Sequence, residues 1–165
     1  MHTAAHALEP ATFQFVNLLV AMLLGGIIGT ERAVIAKQAA GTRTFGLVAL
    51  GSCLFVIIGV TVDNAYLGLV NLEPMQIAGA IVTGIGFIGG GLIIFRNDSL
   101  HGVTTAAGLW IAAGVGMACG FGLLPIAFFV TLLALIMFTG MWYIENRFKH
   151  WFKGRQIDDG EASKQ

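Results

Sequence analysis

The chain has 165 residues, of which 56% are hydrophobic and 11% are charged; its formal net charge is zero and its mean hydropathy is +0.82. A soluble domain carries about 25% charged residues, so this composition excludes an ordinary soluble enzyme and indicates an integral membrane protein with no nucleic-acid partner. The 23 glycines are about twice the usual share, which is typical of tightly packed membrane helices.

Five apolar segments predict an all-α bundle of five membrane-spanning helices. Four of the predicted spans cover residues 13–29, 44–62, 75–95 and 103–120, and the fifth ends near residue 144. Proline at position 74 suits the start of the third span. We therefore divide the chain into an external N-terminal segment (1–12), a transmembrane domain (13–144) and a basic, aromatic tail (145–165) that suits anionic lipid headgroups.

Glycines in the first, third and fourth spans recur at helical spacing, so they share helix faces. Lipid tails are as apolar as leucine, and membrane helices therefore associate through close backbone approach at small residues. The glycines assigned to helix packing are Gly25, Gly29, Gly79, Gly84, Gly86, Gly90, Gly108, Gly116 and Gly120. Because the third span is the richest in such positions, we predict that it is the central helix of the bundle.

Residues 84–89 of the third span spell G-x-G-x-x-G, the fingerprint of dinucleotide-binding folds. That fingerprint requires a strand before it, a helix after it and an acidic residue about 20 positions further on. Here it lies inside one continuous apolar run with no acidic residue at that distance. The spacing therefore favours helix packing over nucleotide binding, and we predict no bound cofactor.

The distribution of Lys and Arg predicts the orientation of the chain. Basic residues occur in the loop between spans one and two, in the loop between spans three and four, and in the tail. The N-terminal segment and the two remaining loops contain none. The positive-inside rule then places the N-terminus outside and the C-terminus in the cytoplasm.

Two cysteines, Cys53 and Cys119, lie in apolar segments. Counted along the predicted spans, their depths in the membrane differ by about 10 Å. A disulfide requires Cα atoms within about 7 Å. We therefore predict two free thiols.

No ionisable residue lies near the centre of a predicted span, which argues against a proton-driven transporter and against an intramembrane protease. We predict no catalytic residue. Polar residues instead gather at the predicted cytoplasmic helix ends: Glu31, Arg32, Arg43, Thr44, Arg96, Asp98, Thr104 and Thr105.

Two interpretations of this polar group remain open. In the first, its members are topology anchors and surface ion pairs that stabilise the fold by under about 1 kcal/mol each. In the second, they form a functional site. For Thr104 and Thr105, helix capping and binding of an anion at the helix N-terminus are equally consistent. For Glu31 we predict an ion pair with Arg43 or Arg96 that holds the first three spans together.

Four motifs carry a resemblance to a known family. They are Gly29-Thr30-Glu31-Arg32, Ala40-Gly41-Thr42-Arg43-Thr44, the glycine-rich run 84–91, and Gly102-Val103-Thr104-Thr105-Ala106-Ala107 with Trp110. In this order and spacing they resemble the MgtC/SapB membrane family. The chain departs from the family at Phe45, where members often have His, and in a tail too short for the soluble domain that many members carry.

The resemblance implies a bacterial inner-membrane protein linked to growth in low magnesium and to survival in hosts. It implies a non-enzymatic regulator that acts through other membrane proteins. The small-residue helix faces supply docking surfaces for such a partner or for a second copy of the chain. The alternative is a pathway for magnesium or another ion. Mg²⁺ needs only one or two carboxylates, so Glu31 and Asp98 are the candidates for a site at its mouth.

Overall fold

The computed structural model describes residues 2–35, 40–65, 74–96 and 98–141, together with residues 143 and 147. Within this part the chain forms five α-helices: α1 (His2–Val34), α2 (Thr42–Ala65), α3 (Pro74–Leu92), α4 (Val103–Gly120) and α5 (Leu124–Leu135). A π-helical turn, Ile136–Gly140, continues α5. The predicted all-α class with five helices is confirmed.

Four of the helices in the described residues are long and apolar enough to cross a membrane: residues 12–34, 42–63, 75–92 and 103–120. The fifth apolar helix, Leu124–Gly140, has an α-helical length of only about 26 Å, somewhat less than the roughly 30 Å of a hydrocarbon core. Large apolar side chains lie on the outside of the bundle; Phe15 and Phe129 are 70% and 61% exposed. Such a surface suits a lipid environment.

Two close contacts at glycine place α1 on α2. A Cβ atom added at Gly25 would lie 2.7 Å from the carbonyl oxygen of Phe45, and one added at Gly29 would lie 2.6 Å from that of Gly41. Real Cβ atoms essentially never come this close to backbone, so the two helices meet only because both positions lack a side chain. Phe45 fills the space beside this contact and is fully buried.

A second pair of glycines brings α4 against α2. A Cβ atom at Gly116 would overlap the carbonyl group of Ala49, and one at Gly120 would lie 2.8 Å from the carbonyl oxygen of Cys53. Ala49 also faces Gly25, and α1 packs directly on α4 as well, so the three helices pack on one another. These three helices supply most of the buried core.

α3 lies at the edge of the bundle, so the prediction that it is central is wrong for this chain. Buried residues make up 11% of its apolar window, compared with 44% in α4. Its buried residues include Ile85 and Gly89, and Gly89 faces Ala106 of α4. An added Cβ atom would meet no atom within 4 Å at Gly79, Gly84, Gly86 or Gly90.

A short antiparallel hairpin joins α3 to α4 where the sequence predicted the end of a span and a loop. Strand β1 (Ile94–Arg96) pairs with β2 (Ser99–His101), and Phe95 lies opposite Leu100. The turn holds Asp98 at a φ of 57°, a conformation that Asp tolerates better than most residues. Three consecutive glycines at 89–91 weaken the end of the helix, which explains why α3 ends at Leu92.

Cys53 and Cys119 are buried free thiols, as predicted. The depth argument behind that prediction is wrong, however. Gly120 packs against the carbonyl of Cys53, so the two cysteines lie at similar depth in the bundle. Offsets between helices in a bundle are set by packing, and counting residues from predicted helix ends does not capture them.

The structure describes the two ends of the chain only in part, so it does not test the predicted division into three segments. α1 begins at His2 and so extends through the segment predicted to precede the first span. Apart from Arg147, the predicted tail lies outside the described residues. The boundaries 1–12, 13–144 and 145–165 therefore stay predictions.

Candidate functional site

The structure divides the predicted polar group into a buried part and an exposed part. Glu31, Arg32 and Thr105 are buried, with 7%, 7% and 3% of their surface exposed. The other members with described side chains are exposed or partly exposed: Arg43, Thr44, Asp98 and Thr104. The side chain of Arg96 lies outside the described residues.

Glu31 and Arg32 form an ion pair at the end of α1. Nη1 of Arg32 lies 3.6 Å from Oε2 of Glu31, and both side chains are over nine-tenths buried. This distance is too long for a hydrogen bond, so the attraction is electrostatic. The burial makes the pair sensitive to the loss of either partner, because the remaining charge would be left without compensation.

The predicted pairing of Glu31 with Arg43 is wrong. Among the described residues, the ion pair found for Glu31 is with its neighbour Arg32, whereas the side chain of Arg43 is exposed. The two halves of the pair therefore lie on one helix and do not link α1 to α2. Pairing of Glu31 with Arg96 cannot be compared, because that side chain is outside the described part.

Arg32 links α1 to the π-helical turn through an aromatic ring. Its guanidinium carbon lies 4.7 Å from the centroid of the Phe138 ring, within the range of a cation–π interaction. The tip of the same ring contacts Gly108 of α4, since a Cβ atom there would lie 2.9 Å from Phe138 Cζ. Phe138 thus brings α1, α4 and the end of α5 together.

Thr105 lies one helical turn before Gly108 on α4, so both residues occupy the same face. Its hydroxyl, Oε2 of Glu31 and Nε of Arg32 are all buried and have no hydrogen-bond partner among the described residues. Buried polar atoms normally have a partner, and leaving one without costs about 1–3 kcal/mol. We define Glu31, Arg32 and Thr105 as the buried polar cluster; Phe138, which contacts both Arg32 and Gly108, links its members on α1 and α4.

Thr104 and Thr105 do not cap α4. The N-cap residue is Gly102, which has a φ of 88°. As a glycine it has no side chain that could accept a hydrogen bond from the first turn of the helix. A hydrogen bond between two hydroxyl groups instead joins α1 to α2. Thr30 and Thr42 lie 2.9 Å apart through their hydroxyl oxygens, and Thr30 donates to the carbonyl of Gly26 at 2.8 Å, so Thr42 donates to Thr30.

The carboxylates proposed for a magnesium site have different surroundings. Glu31 is buried at the end of α1, whereas Asp98 is exposed in the turn of the hairpin. In the part of the chain that the structure describes, no three His, Cys, Asp or Glu side chains come together as metal ligands. A site using both carboxylates stays a prediction.

Phe138 is the residue of this region that sequence reasoning missed. It lies in a segment of the fifth helix in which nearly every residue is apolar, so nothing in the pattern distinguishes it from its lipid-facing neighbours. The π-helical turn that presents Phe138 to Arg32 has no sequence signature either. Such turns occur frequently at functional sites.

Comparison with known proteins places this arrangement in context. The MgtC family model matches residues 18–147. Over 124 residues the chain is 39% identical to a protein named "Putative magnesium transporter YhiD" from Escherichia coli K12, which covers 74% of this chain and 57% of that protein. Over 119 residues it is 41% identical to "Protein MgtC" from Salmonella typhimurium strain 14028s, covering 72% of this chain and 48% of that protein.

A further relative, from Haemophilus influenzae, is 34% identical over 126 residues, which are 74% of this chain and 52% of that protein. The chain thus spans about half the length of the curated relatives it matches. No solved structure matches the chain.

Proposed function

The chain belongs to the MgtC family, and we propose that it is a non-enzymatic regulator in the bacterial inner membrane that acts by binding other membrane proteins. Family membership confirms the resemblance inferred from the motifs. The proposal includes a role in adaptation to low magnesium and in host survival. This role is proposed because the match covers only about half the length of the relatives.

The open face of α3 is the observation that supports this proposal. Gly79, Gly86 and Gly90 recur on one side of the helix, and an added Cβ atom at each would meet no atom within 4 Å. The hydroxyl of Thr83, on the same face, donates to the carbonyl of Gly79 at 2.9 Å and so presents no unsatisfied donor. Faces of this kind are where membrane helices approach each other closely.

The structure separates two uses of glycine that the sequence treated alike. Gly25 and Gly116 are occupied by contacts inside the chain, whereas Gly90 has open space around it. A leucine at Gly90 therefore changes the outer surface and leaves the fold intact. A leucine at Gly116 would collide with the backbone of α2.

The test measures partner binding and protein stability in the same variants. We expect Gly90→Leu to lose cross-links to membrane partners and to impair growth in low magnesium, while thermal stability stays at the wild-type level. Gly114→Leu is the matched control, because Gly114 on α4 also has no atom within 4 Å of its Cβ position. Unchanged cross-linking and growth in Gly90→Leu would refute the proposal, and cross-links solely between two copies of the chain would assign the face to a homo-oligomer.

A second candidate function, a pathway for magnesium, is favoured by the name of the YhiD relative and by the carboxylate oxygen of Glu31, which is buried without a hydrogen bond among the described residues. Mg²⁺ usually keeps several waters and takes one or two carboxylates. Purified protein in liposomes that contain a magnesium-sensitive dye distinguishes the two candidates. Saturable flux that disappears in Glu31→Gln would replace the regulatory proposal, and an absence of flux in the wild type would remove this candidate.

A further inference from the structure

A groove with a volume of about 860 Å³ runs between α2 and α3. Its wall on α2 extends from Arg43 to Gly59, a helical length of about 24 Å. At the far end the side chain of Ile77 lies against Gly59 and brings the two helices together. Arg43 and Thr44 stand at the other end, which the positive-inside rule assigns to the cytoplasmic surface.

We propose that this groove binds one anionic phospholipid of the cytoplasmic leaflet, with its phosphate on Arg43 and an acyl chain along the groove. The proposal does not depend on the regulatory function, because the groove and the open glycine face of α3 use different residues.

The charge at the mouth of the groove supports an anionic headgroup. The Arg43 side chain is exposed, and no ion pair joins it to a carboxylate among the described residues. A guanidinium matches the geometry of phosphate and binds it through two parallel hydrogen bonds. The hydroxyl of Thr44 lies beside it on the groove wall. The cytoplasmic leaflet carries the anionic lipids that such a mouth would select.

The remainder of the groove suits a hydrocarbon chain. Apart from Arg43, Thr44 and Ser52, all of its lining residues in the described part are apolar or glycine, and Ser52 is 3% exposed. Leu47 and Phe55 on the α2 wall are 65% and 59% exposed, so the groove is not filled by this chain. One leaflet contributes roughly 15 Å of hydrocarbon, which the groove length exceeds.

The size of the groove suits a small molecule or a single lipid chain. Its volume of about 860 Å³ falls within the range of roughly 300–1,000 Å³ that is usual for pockets binding small molecules.

Gly84 offers a way to block the groove without disturbing the fold. It lines the groove, and its Cβ position has no atom within 4 Å, so a leucine there can extend into the groove without a collision at Cβ. Gly86 lies two residues away on the same helix, is equally open, and does not line the groove. Gly86→Leu therefore adds the same side chain outside the site and is the matched control.

The experiment counts the lipids that remain bound. Wild-type protein, Gly84→Leu, Gly86→Leu and Arg43→Gln are taken from nanodiscs of phosphatidylglycerol, phosphatidylethanolamine and phosphatidylcholine and analysed by native mass spectrometry. We expect one retained phosphatidylglycerol in the wild type and in Gly86→Leu, and none in Gly84→Leu. Arg43→Gln should weaken the preference for phosphatidylglycerol roughly tenfold, the effect of losing one charge-assisted contact.

Three results would overturn the proposal. The first is equal retention of phosphatidylglycerol and phosphatidylcholine in all four proteins, which would mean that the retained lipid is ordinary boundary lipid. The second is displacement of the lipid by free glycerol phosphate at the same concentration, which describes an anion site without an acyl chain. The third is efficient cross-linking between two copies through Ile81→Cys on the groove wall, which assigns the groove to a second copy.

Discussion

Gly116→Ala is the substitution whose effect follows most directly from the helix contacts. The added methyl group would overlap the carbonyl group of Ala49, and this contact is with backbone, so it cannot be relieved by turning a side chain. α2 cannot move away freely, because it is also packed against α1 at Gly25. We therefore expect the three-helix core to be strained.

The expected change in the free energy of unfolding follows from two opposing effects of Gly116→Ala. Overpacking a core usually costs about 1–3 kcal/mol, and a collision with the backbone of a helix that also packs on a third helix belongs at about 3 kcal/mol. Replacing glycine by alanine inside a helix gains up to about 1 kcal/mol. The expected net loss is about 2 kcal/mol in the free energy of unfolding, which corresponds to a fall in Tm of about 4–8 °C for a chain of this size.

Gly114→Ala provides the control for this prediction. Gly114 lies two residues away on the same helix and has no atom within 4 Å of its Cβ position, so its replacement keeps the helix gain and adds no collision. Thermal unfolding of the two variants in the same detergent, followed by tryptophan fluorescence, compares them directly. Equal Tm values for the two, or a higher Tm for Gly116→Ala, would refute the close contact of α4 with the backbone of α2 at Gly116.

Three further expectations concern the end of the bundle that holds Arg32 and Gly102, and the orientation of the chain in the membrane. A double-mutant cycle of Arg32→Gln and Phe138→Leu on thermal stability should show a coupling of about 1–2 kcal/mol for a buried cation–π contact, and additive effects would contradict it. Gly102→Ala should destabilise by about 1–3 kcal/mol, because its φ of 88° is unfavourable for alanine and the added Cβ overlaps the end of α3. Gly91→Ala, in open space, should not destabilise. Thr3→Cys should react with an impermeant thiol reagent from outside the cell, and labelling from the cytoplasmic side would reverse the predicted topology.

Several features of this protein could be predicted from the residues alone, and for identifiable reasons. Its composition requires a membrane, because a chain with 11% charged residues cannot cover a soluble surface. The bounds of α4 were predicted as Val103–Gly120, since polar residues and glycine limit that apolar run on both sides. Pro74 begins α3 because its fixed φ suits a first helical position. The motifs were sufficient to recognise the family.

The partners of individual side chains required the tertiary structure. Glu31 pairs with its neighbour Arg32, where the sequence suggested a partner across a loop. Phe138 contacts Arg32 of the buried polar cluster because it lies in a π-helical turn, which no residue pattern predicted. Both contacts depend on how α1, α4 and the end of α5 are rotated and offset, which residue spacing within one helix does not determine.

The use made of each glycine face was also decided by packing between helices. The spacing of the glycines correctly shows which of them share a face, because helical geometry fixes that. Whether the face meets a neighbour depends on which helices come together. In a soluble protein the hydrophobic pattern separates the inside from the outside, but lipid is as apolar as the core of this bundle. The sequence therefore could not show that Gly116 and Gly120 of α4 are enclosed at α2 while the glycines at 79, 84, 86 and 90 in α3 have open space around them.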